Sequence, residues 1–423
     1  MIVPILILAA VSFCISWVIT LAMKRVAPRL GLVDRPGSRK IHQNPIPLGG
    51  GVAIFWSLAL PMLATLAVVN FAGNTIIERF QTDEDMAALV EGGQYQTPMT
   101  LGLLGGMLVL HGVGLMDDRR AMGPFFKLAV QVLVAGAFVI IYDVRALTAL
   151  ENPPGMKTAG YAASVFLTVF WIVAVTNAFN FLDNMDGLSA GVAAVCATAF
   201  LITALTIGQW FVAAALALLL GAVLAFLCFN FPPASIFMGD GGSLVIGFLL
   251  GVLTVRTTFV TTDWGAGWYA VFAPLIVLAV PMYDMITVMI VRLRRGASPF
   301  IGDNNHFSHR LVARGMSRRT AVLCIYLVTA ATSMAAILLP HVRSTLGAML
   351  IFGQTVLVLG VVALLEQHRI SPSPGTSGEG RGEGPYGAAP PALDVEMHSQ
   401  VELEASPHPS PLPEGEGVRR GHA

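Results

Sequence analysis

The sequence predicts an all-α fold: a polytopic integral membrane helix bundle of about eleven transmembrane helices, N-terminus outside and C-terminus cytoplasmic. Three observations carry this reading. Apolar runs of about 18 residues or more recur along the chain, each long enough to cross a bilayer as a helix. Only 12% of the residues are charged, against about 25% in a soluble domain, and the mean hydropathy is +0.72. Lys and Arg gather in alternate connections, which the positive-inside rule assigns to the cytoplasm. The 43 glycines suit helices packed in lipid, where small residues let backbones approach. A formal net charge of +0 leaves no nucleic-acid footprint. Cys14, Cys196, Cys228 and Cys324 stand singly in apolar runs, and read as reduced packing residues rather than a disulfide or zinc set.

Residues 1–23 form a first span rather than a signal peptide. No basic segment precedes them, no small-residue cleavage site follows, and Lys24, Arg25 and Arg29 come afterwards. The basic stretch DRPGSRKIHQNPIPLGGG (34–51) leads to a second span at 52–69. Residues 71–100 read as a polar, acidic connection. A third span, 101–116, closes on Asp117, Asp118, Arg119 and Arg120. The fourth opens at Lys127 and ends near Asp143; the fifth is 161–176. Only Gly208 and Gln209 separate the sixth (189–207) from the seventh, which ends at Phe229 and Asn230 before FPPASIFMGDGGS. The eighth is 244–254, the ninth 268–290 with Asp284 inside it, the tenth 321–339 and the eleventh 346–365. Residues 1–365 are thus one transmembrane domain. Residues 366–423, rich in Pro, Gly, Ser and Glu, read as a disordered, low-complexity cytoplasmic tail.

Every motif with chemical potential falls on the expected cytoplasmic side. In NAFNFLDNMDGL (177–188), polar groups recur every third position: Asn177, Asn180, Asp183 and Asp186. On an α-helix that period drifts by about 60° per step, so the four fan over roughly half the cylinder, with Gly187 to break it. Hard cations and sugar hydroxyls favour such oxygens. Adjacent Asp117 and Asp118 repel each other unless a cation or Arg neutralises them; they read either as a solvated helix end or as a phosphate-handling pair. Lys127 either snorkels to the surface or clamps a phosphate. Asp240 lies among glycines that let a backbone approach a ligand, and Ser243 is suited to cap the next helix, whose N-terminus would favour an anion. His306 and His309 sit three apart without a second pair to complete a zinc site. With Arg310 and six further arginines nearby, recognition of a diphosphate is the more natural use. Asp284 is an intramembrane carboxylate, functional by default or paired within the bundle. Carboxylates, amides and cationic clamps on one membrane face are the equipment of metal-assisted phosphoryl transfer. A proton-coupled transporter is the competing class, but its relay groups belong near the midplane.

At these residues the chain resembles the polyprenyl-phosphate N-acetylhexosamine-1-phosphate transferases. DRPGSRKIHQNPIPLGGG, DDRRAMGPFFKLAVQ, NAFNFLDNMDGL, FMGDGGS, PMYD and HFSHRL carry the likeness, in order, over about residues 1–365. The resemblance implies a bacterial inner (plasma) membrane enzyme with a cytoplasmic active site beside a lipid groove. It implies Mg²⁺, with Mn²⁺ as a substitute, held by Asn180 and Asp240. It implies catalytic roles for Asp117, Asp118 and Lys127, and substrate-binding roles for Asn177, Asp183, Asp186, His306, His309 and Arg310. The implied reaction moves a sugar-1-phosphate from a UDP-N-acetylhexosamine to undecaprenyl phosphate and releases UMP, as the first membrane step of a cell-envelope polysaccharide pathway. A homodimer is compatible with it. The GlcNAc-type branch usually carries HxHHR; Ser308 replaces one histidine here, yet the continuing HRL favours that branch over phospho-MurNAc-pentapeptide transfer.

Overall fold

The computed structural model describes residues 2–34, 45–80, 84–257, 268–298 and 305–366. Most of the basic stretch 34–51, the start of the histidine loop (301–304) and nearly all of the expected tail lie outside the described residues. Helices dominate the remainder: α1 (Ile2–Val26), α2 (Gly50–Ala67), α3 (Gly73–Phe80), α4 (Glu84–Arg119), α5 (Pro124–Tyr142), α6 (Lys157–Leu182), α7 (Leu188–Thr206), α8 (Trp210–Asn230), α9 (Asp240–Arg256), α10 (Ala273–Val277), α11 (Ala279–Arg294), α12 (Phe307–Ala313), α13 (Arg318–Leu338) and α14 (Thr345–Leu365). Among the described residues nine helices are long and apolar enough to cross a bilayer, or ten if the bent pair α10–α11 counts as one span. This is an all-α polytopic membrane protein.

The expected eighth span corresponds to α9, whose 17 residues fall short of that length. Every residue from 241 to 254 is buried, so protein rather than lipid surrounds this helix. It lies against α2, α4 and α6, with Trp171 of α6 donating to Thr254 Oγ1 at 2.9 Å. Small residues seat the helices elsewhere as well. Ser12 and Ser16 of α1 face α8 and donate to the carbonyls of Leu218 (2.7 Å) and Ala222 (2.8 Å). Without water to compete, such hydroxyls take backbone oxygens of the neighbouring helix.

Two expectations fail. The described residues of 71–100 are helical rather than a loop: α2 continues through a π turn (Val68–Ala72) into α3, and α4 begins at Glu84. The two extensions are stitched together by Asn70 Nδ2 to Thr97 Oγ1 (2.8 Å) and Gln94 Nε2 to the Val69 carbonyl (3.0 Å). Helix nucleation is the costly step, and the membrane segment has already met it. Helix formers such as Ala87, Ala88 and Leu89 then propagate it beyond the apolar run. The ninth span, expected as continuous, bends by 67° between α10 and α11. Pro281 has no N–H for the Val277 carbonyl, which instead receives Cys196 Sγ at 3.5 Å. The close junction of the sixth and seventh spans is as expected, with α7 ending at Thr206 and α8 starting at Trp210.

Candidate active site

The site is built on the glycine-rich turn before α9. The chain leaving α8 runs beside the segment entering α2. Leu48 and Phe237 form a parallel bridge, Phe237 N donates to the Pro47 carbonyl (2.9 Å), and Gly51 N donates to the Met238 carbonyl (2.9 Å). The PIPLGGG and FMGDGGS motifs are therefore two sides of one structure. Gly239 adopts φ 73°, a left-handed conformation, immediately before the helix. Backbones close in from both sides: a Cβ on Gly51 would sit 2.4 Å from Gly242 N, and one on Gly114 would sit 2.4 Å from the Asp240 carbonyl carbon. His111 of α4, 5% exposed and stacked on Phe55 at 4.6 Å, reaches the Gly241 carbonyl with Nδ1 at 2.7 Å. A carbonyl only accepts, so that nitrogen carries the proton.

Ser243 does not cap α9. The cap position is Gly239, which has no side chain, and the orphan N–H groups are taken up from another helix. Asp118 Oδ1 accepts from Asp240 N at 2.8 Å and Asp118 Oδ2 from Gly241 N at 3.2 Å. The carboxylate complements the helix dipole as well as the donors. Ser243 instead receives Asn180 Nδ2 at 3.0 Å.

Around Asp240 the sequence-expected groups converge. Lys127 Nζ donates to Asp240 Oδ2 at 2.7 Å and to Asp117 Oδ2 at 3.0 Å, so it neither snorkels nor stands free. Asp240 Oδ1 accepts from Asn180 Nδ2 at 2.8 Å. Asp117 Oδ1 also holds the Met122 amide at 2.6 Å; Arg119 and Arg120, its expected partners as a solvated helix end, are exposed. Asp183, just past α6, lies in the same field. Burial holds its carboxyl well above the usual carboxylate range, the charges of Asp240 and Asp118 raise it further, and a Gly239 backbone hydrogen bond opposes them. Lys127 is thus shared by Asp117 and Asp240, with the carboxyl groups of Asp118 and Asp183 in the same field. Hard oxygen donors in excess of their cation suit a divalent metal. Among the described residues no three acidic, histidine or cysteine side chains already form a metal cluster, and Lys127 stands between Asp117 and Asp240.

The other expected residues point elsewhere, so the period-three row does not act as one group. Asn177 Nδ2 donates to Gln131 Oε1 at 2.5 Å, facing α5. Asp186 Oδ2 accepts from Ala234 N at 2.9 Å and ties the turn after α6 to the loop after α8. Asp284 is fully buried and paired: Oδ2 meets His306 Nδ1 at 2.9 Å and Oδ1 accepts from Phe307 N at 2.6 Å. His309 forms a backbone hydrogen bond with Asn184; burial lowers the His309 pKa, and His306 adds to that. Ser308 donates to Asn184 Oδ1 at 2.6 Å. Arg310 turns to Glu366 Oε1 (3.0 Å) and Thr287 Oγ1 (3.0 Å). The histidine loop therefore abuts the turn that carries Asp183. His111, Gln131, Asn184 and Glu366 escaped the sequence reading. Gln131 and Asn184 lie inside quoted motifs, whereas His111 sits in an apolar run and Glu366 carries no local signal.

The description "Glycosyl transferase family 4" matches residues 100–258, the stretch that carries most of this cluster. A Bacillus subtilis protein named probable undecaprenyl-phosphate N-acetylglucosaminyl 1-phosphate transferase is 30% identical over 345 residues, covering 81% of this chain and 87% of that one. A Mycolicibacterium smegmatis protein, named decaprenyl-phosphate N-acetylglucosaminephosphotransferase, is 30% identical over 372 residues, covering 84% and 83%. The Escherichia coli K12 undecaprenyl-phosphate alpha-N-acetylglucosaminyl 1-phosphate transferase is 29% identical over 316 residues, covering 73% and 76%.

Proposed function

The chain belongs to glycosyl transferase family 4, among the polyprenyl-phosphate N-acetylglucosamine-1-phosphate transferases, and from that premise we propose that it transfers GlcNAc-1-phosphate from UDP-GlcNAc to undecaprenyl phosphate. A terminal oxygen of the lipid phosphate attacks the β-phosphorus of the donor. The bond between that phosphorus and the bridging oxygen breaks, UMP leaves, and a lipid-linked sugar diphosphate forms.

One observation carries this reading: Lys127 held between Asp117 and Asp240, beside Asn180, at the meeting point of four helix ends. An ammonium shared by two carboxylates at 3.0 and 2.7 Å can exchange one of them for a phosphate oxygen. Asp240 and Asn180, with Asp117 beside them, would hold Mg²⁺, or Mn²⁺ in its place. When bound, that ion takes up charge on the diphosphate. The second pKa of a phosphate monoester is near 6, so the lipid phosphate arrives largely ionised and needs no strong general base. Asp117 then orients Lys127 and the incoming phosphate, while Asp118 fixes the backbone beneath Asp240. His309 and the turn 183–187 border the donor's path. The basic residues of α1's end, Lys24 and Arg25, and those after α11 lie at the site end of the bundle, which we place in the cytoplasm.

The test is UMP release by purified protein given UDP-GlcNAc, undecaprenyl phosphate and Mg²⁺. A panel of UDP-sugars with analysis of the lipid product identifies the sugar. A transporter gives no UMP.

A further inference from the structure

Helix α12, which carries His309, is too short to hold itself in place and is fastened from three sides. Asp284 of α11 binds its entry through His306 and Phe307, and Asn184 of the turn after α6 binds Ser308. The third fastening comes from one residue at the end of α14. Glu366 Oε1 accepts from Arg310 Nη2 at 3.0 Å, its Oε2 from the Tyr283 hydroxyl at 3.3 Å, and its backbone carbonyl from Arg314 Nε at 2.7 Å. Arg310 meanwhile donates to the Asn305 carbonyl ahead of α12 and to Thr287 of α11. Glu366 therefore grips α12 at its middle, through Arg310, and just past its C-terminal end, through Arg314. The side chains of Arg310 and Glu366 are only 20% and 12% exposed, so water competes weakly for this pair.

We infer that Glu366 is a positioning residue of the transfer site: through Arg310 it sets where α12 rests, and with it where His309 stands against the turn that carries Asp183. The inference rests on the transferase reading above. Of its side-chain partners, Tyr283 and Arg310, only Arg310 belongs to the groups expected to bind substrate. Its effect must pass through Arg310, and the donor side of the site should feel it most, because α12 abuts the turn 183–187 rather than the Lys127 end.

The experiment uses the full chain in nanodiscs with UDP-GlcNAc, undecaprenyl phosphate and Mg²⁺, comparing wild type, Glu366→Gln, Arg310→Ala and the double variant. Glu366→Gln keeps the shape and removes the charge. It should raise the donor KM about tenfold and leave the lipid-phosphate KM unchanged. Because the two residues act as one unit, the double variant should be no worse than Arg310→Ala alone. Should Glu366→Gln fail to accumulate, Glu366→Asp keeps the charge and draws it back by one carbon, and the same selective rise in donor KM is expected. Losses that add in the double variant, or an unchanged donor KM with only a lower thermal midpoint, overturn the inference while leaving the transferase reading intact. Wild-type protein that releases no UMP overturns that reading and the inference with it.

Discussion

Replacing Asp118 with Asn separates a backbone-holding role from a chemical one. The carboxylate accepts from two N–H groups, at 2.8 and 3.2 Å. An amide offers one oxygen, so one donor stays matched while the other meets an NH₂ group. A hydrogen bond to a charged partner contributes about 1.5–3 kcal/mol, and leaving a buried donor unmatched costs about 1–3 kcal/mol. The start of α9 should therefore lose roughly 2–4 kcal/mol, and the thermal midpoint should fall. Asp240 itself remains tethered by Lys127 and Asn180. A shifted but tethered carboxylate should lower kcat for UMP release by about 10–100-fold, equivalent to about 1.4–2.8 kcal/mol of barrier. The assay is steady-state UMP release at saturating donor and lipid phosphate, alongside thermal unfolding of the same preparations. The reasoning is refuted if Asp118→Asn is inactive yet melts like wild type, because Asp118 would then act on the reacting phosphates directly.

Asp240→Ala should abolish turnover, and retained Mg²⁺-dependent UMP release would remove Asp240 from the site. A chain ending at Ile370 should match the full protein, whereas one ending at Leu365 should reproduce the raised donor KM expected for Glu366→Gln; equal kinetics in the two truncations would count against Glu366. Gly114→Ala places a methyl 2.4 Å from the Asp240 carbonyl carbon, where only backbone can yield. It should cost about 1–3 kcal/mol and reduce UMP release, and wild-type kinetics and melting would show that α4 and the turn are not in tight contact. Asp183 is an acid whose folded-state pKa is raised, so the folded protein binds its proton more tightly than the unfolded chain does. Stability from this group is present at low pH and is lost as pH rises through that raised value. In chelator the thermal midpoint should therefore fall as pH is raised above the ordinary carboxylate range, Asp183→Asn should flatten that slope, and Mg²⁺ should restore the midpoint at its upper end; a slope that survives Asp183→Asn in full would assign it to other groups.

The membrane class and most helices were legible in the sequence because both rest on local quantities. An apolar run long enough to cross lipid must satisfy its own backbone hydrogen bonds, so it becomes a helix whatever its neighbours do. Residues 71–100 escaped that logic because helix propagation does not stop where hydropathy does. The converging groups Asp117, Lys127, Asn180 and Asp240 were legible as chemistry, being charges and amides at span ends where none is needed for solubility. Their division of labour was not. Asp118 and Asp117 are neighbours in the chain and read alike, yet one faces two backbone amides of α9 and the other faces Lys127. Asn177 and Asn180 share one helical row, yet contact α5 and α9 respectively. Glu366 stood at the head of an expected tail and proved to grip α12. Residue type and spacing determine which groups reach the membrane face. Which of them meet depends on how α4, α5, α6 and α9 pack, and that is set by glycine contacts and buried hydrogen bonds between residues more than a hundred positions apart, such as Asp118 with Asp240.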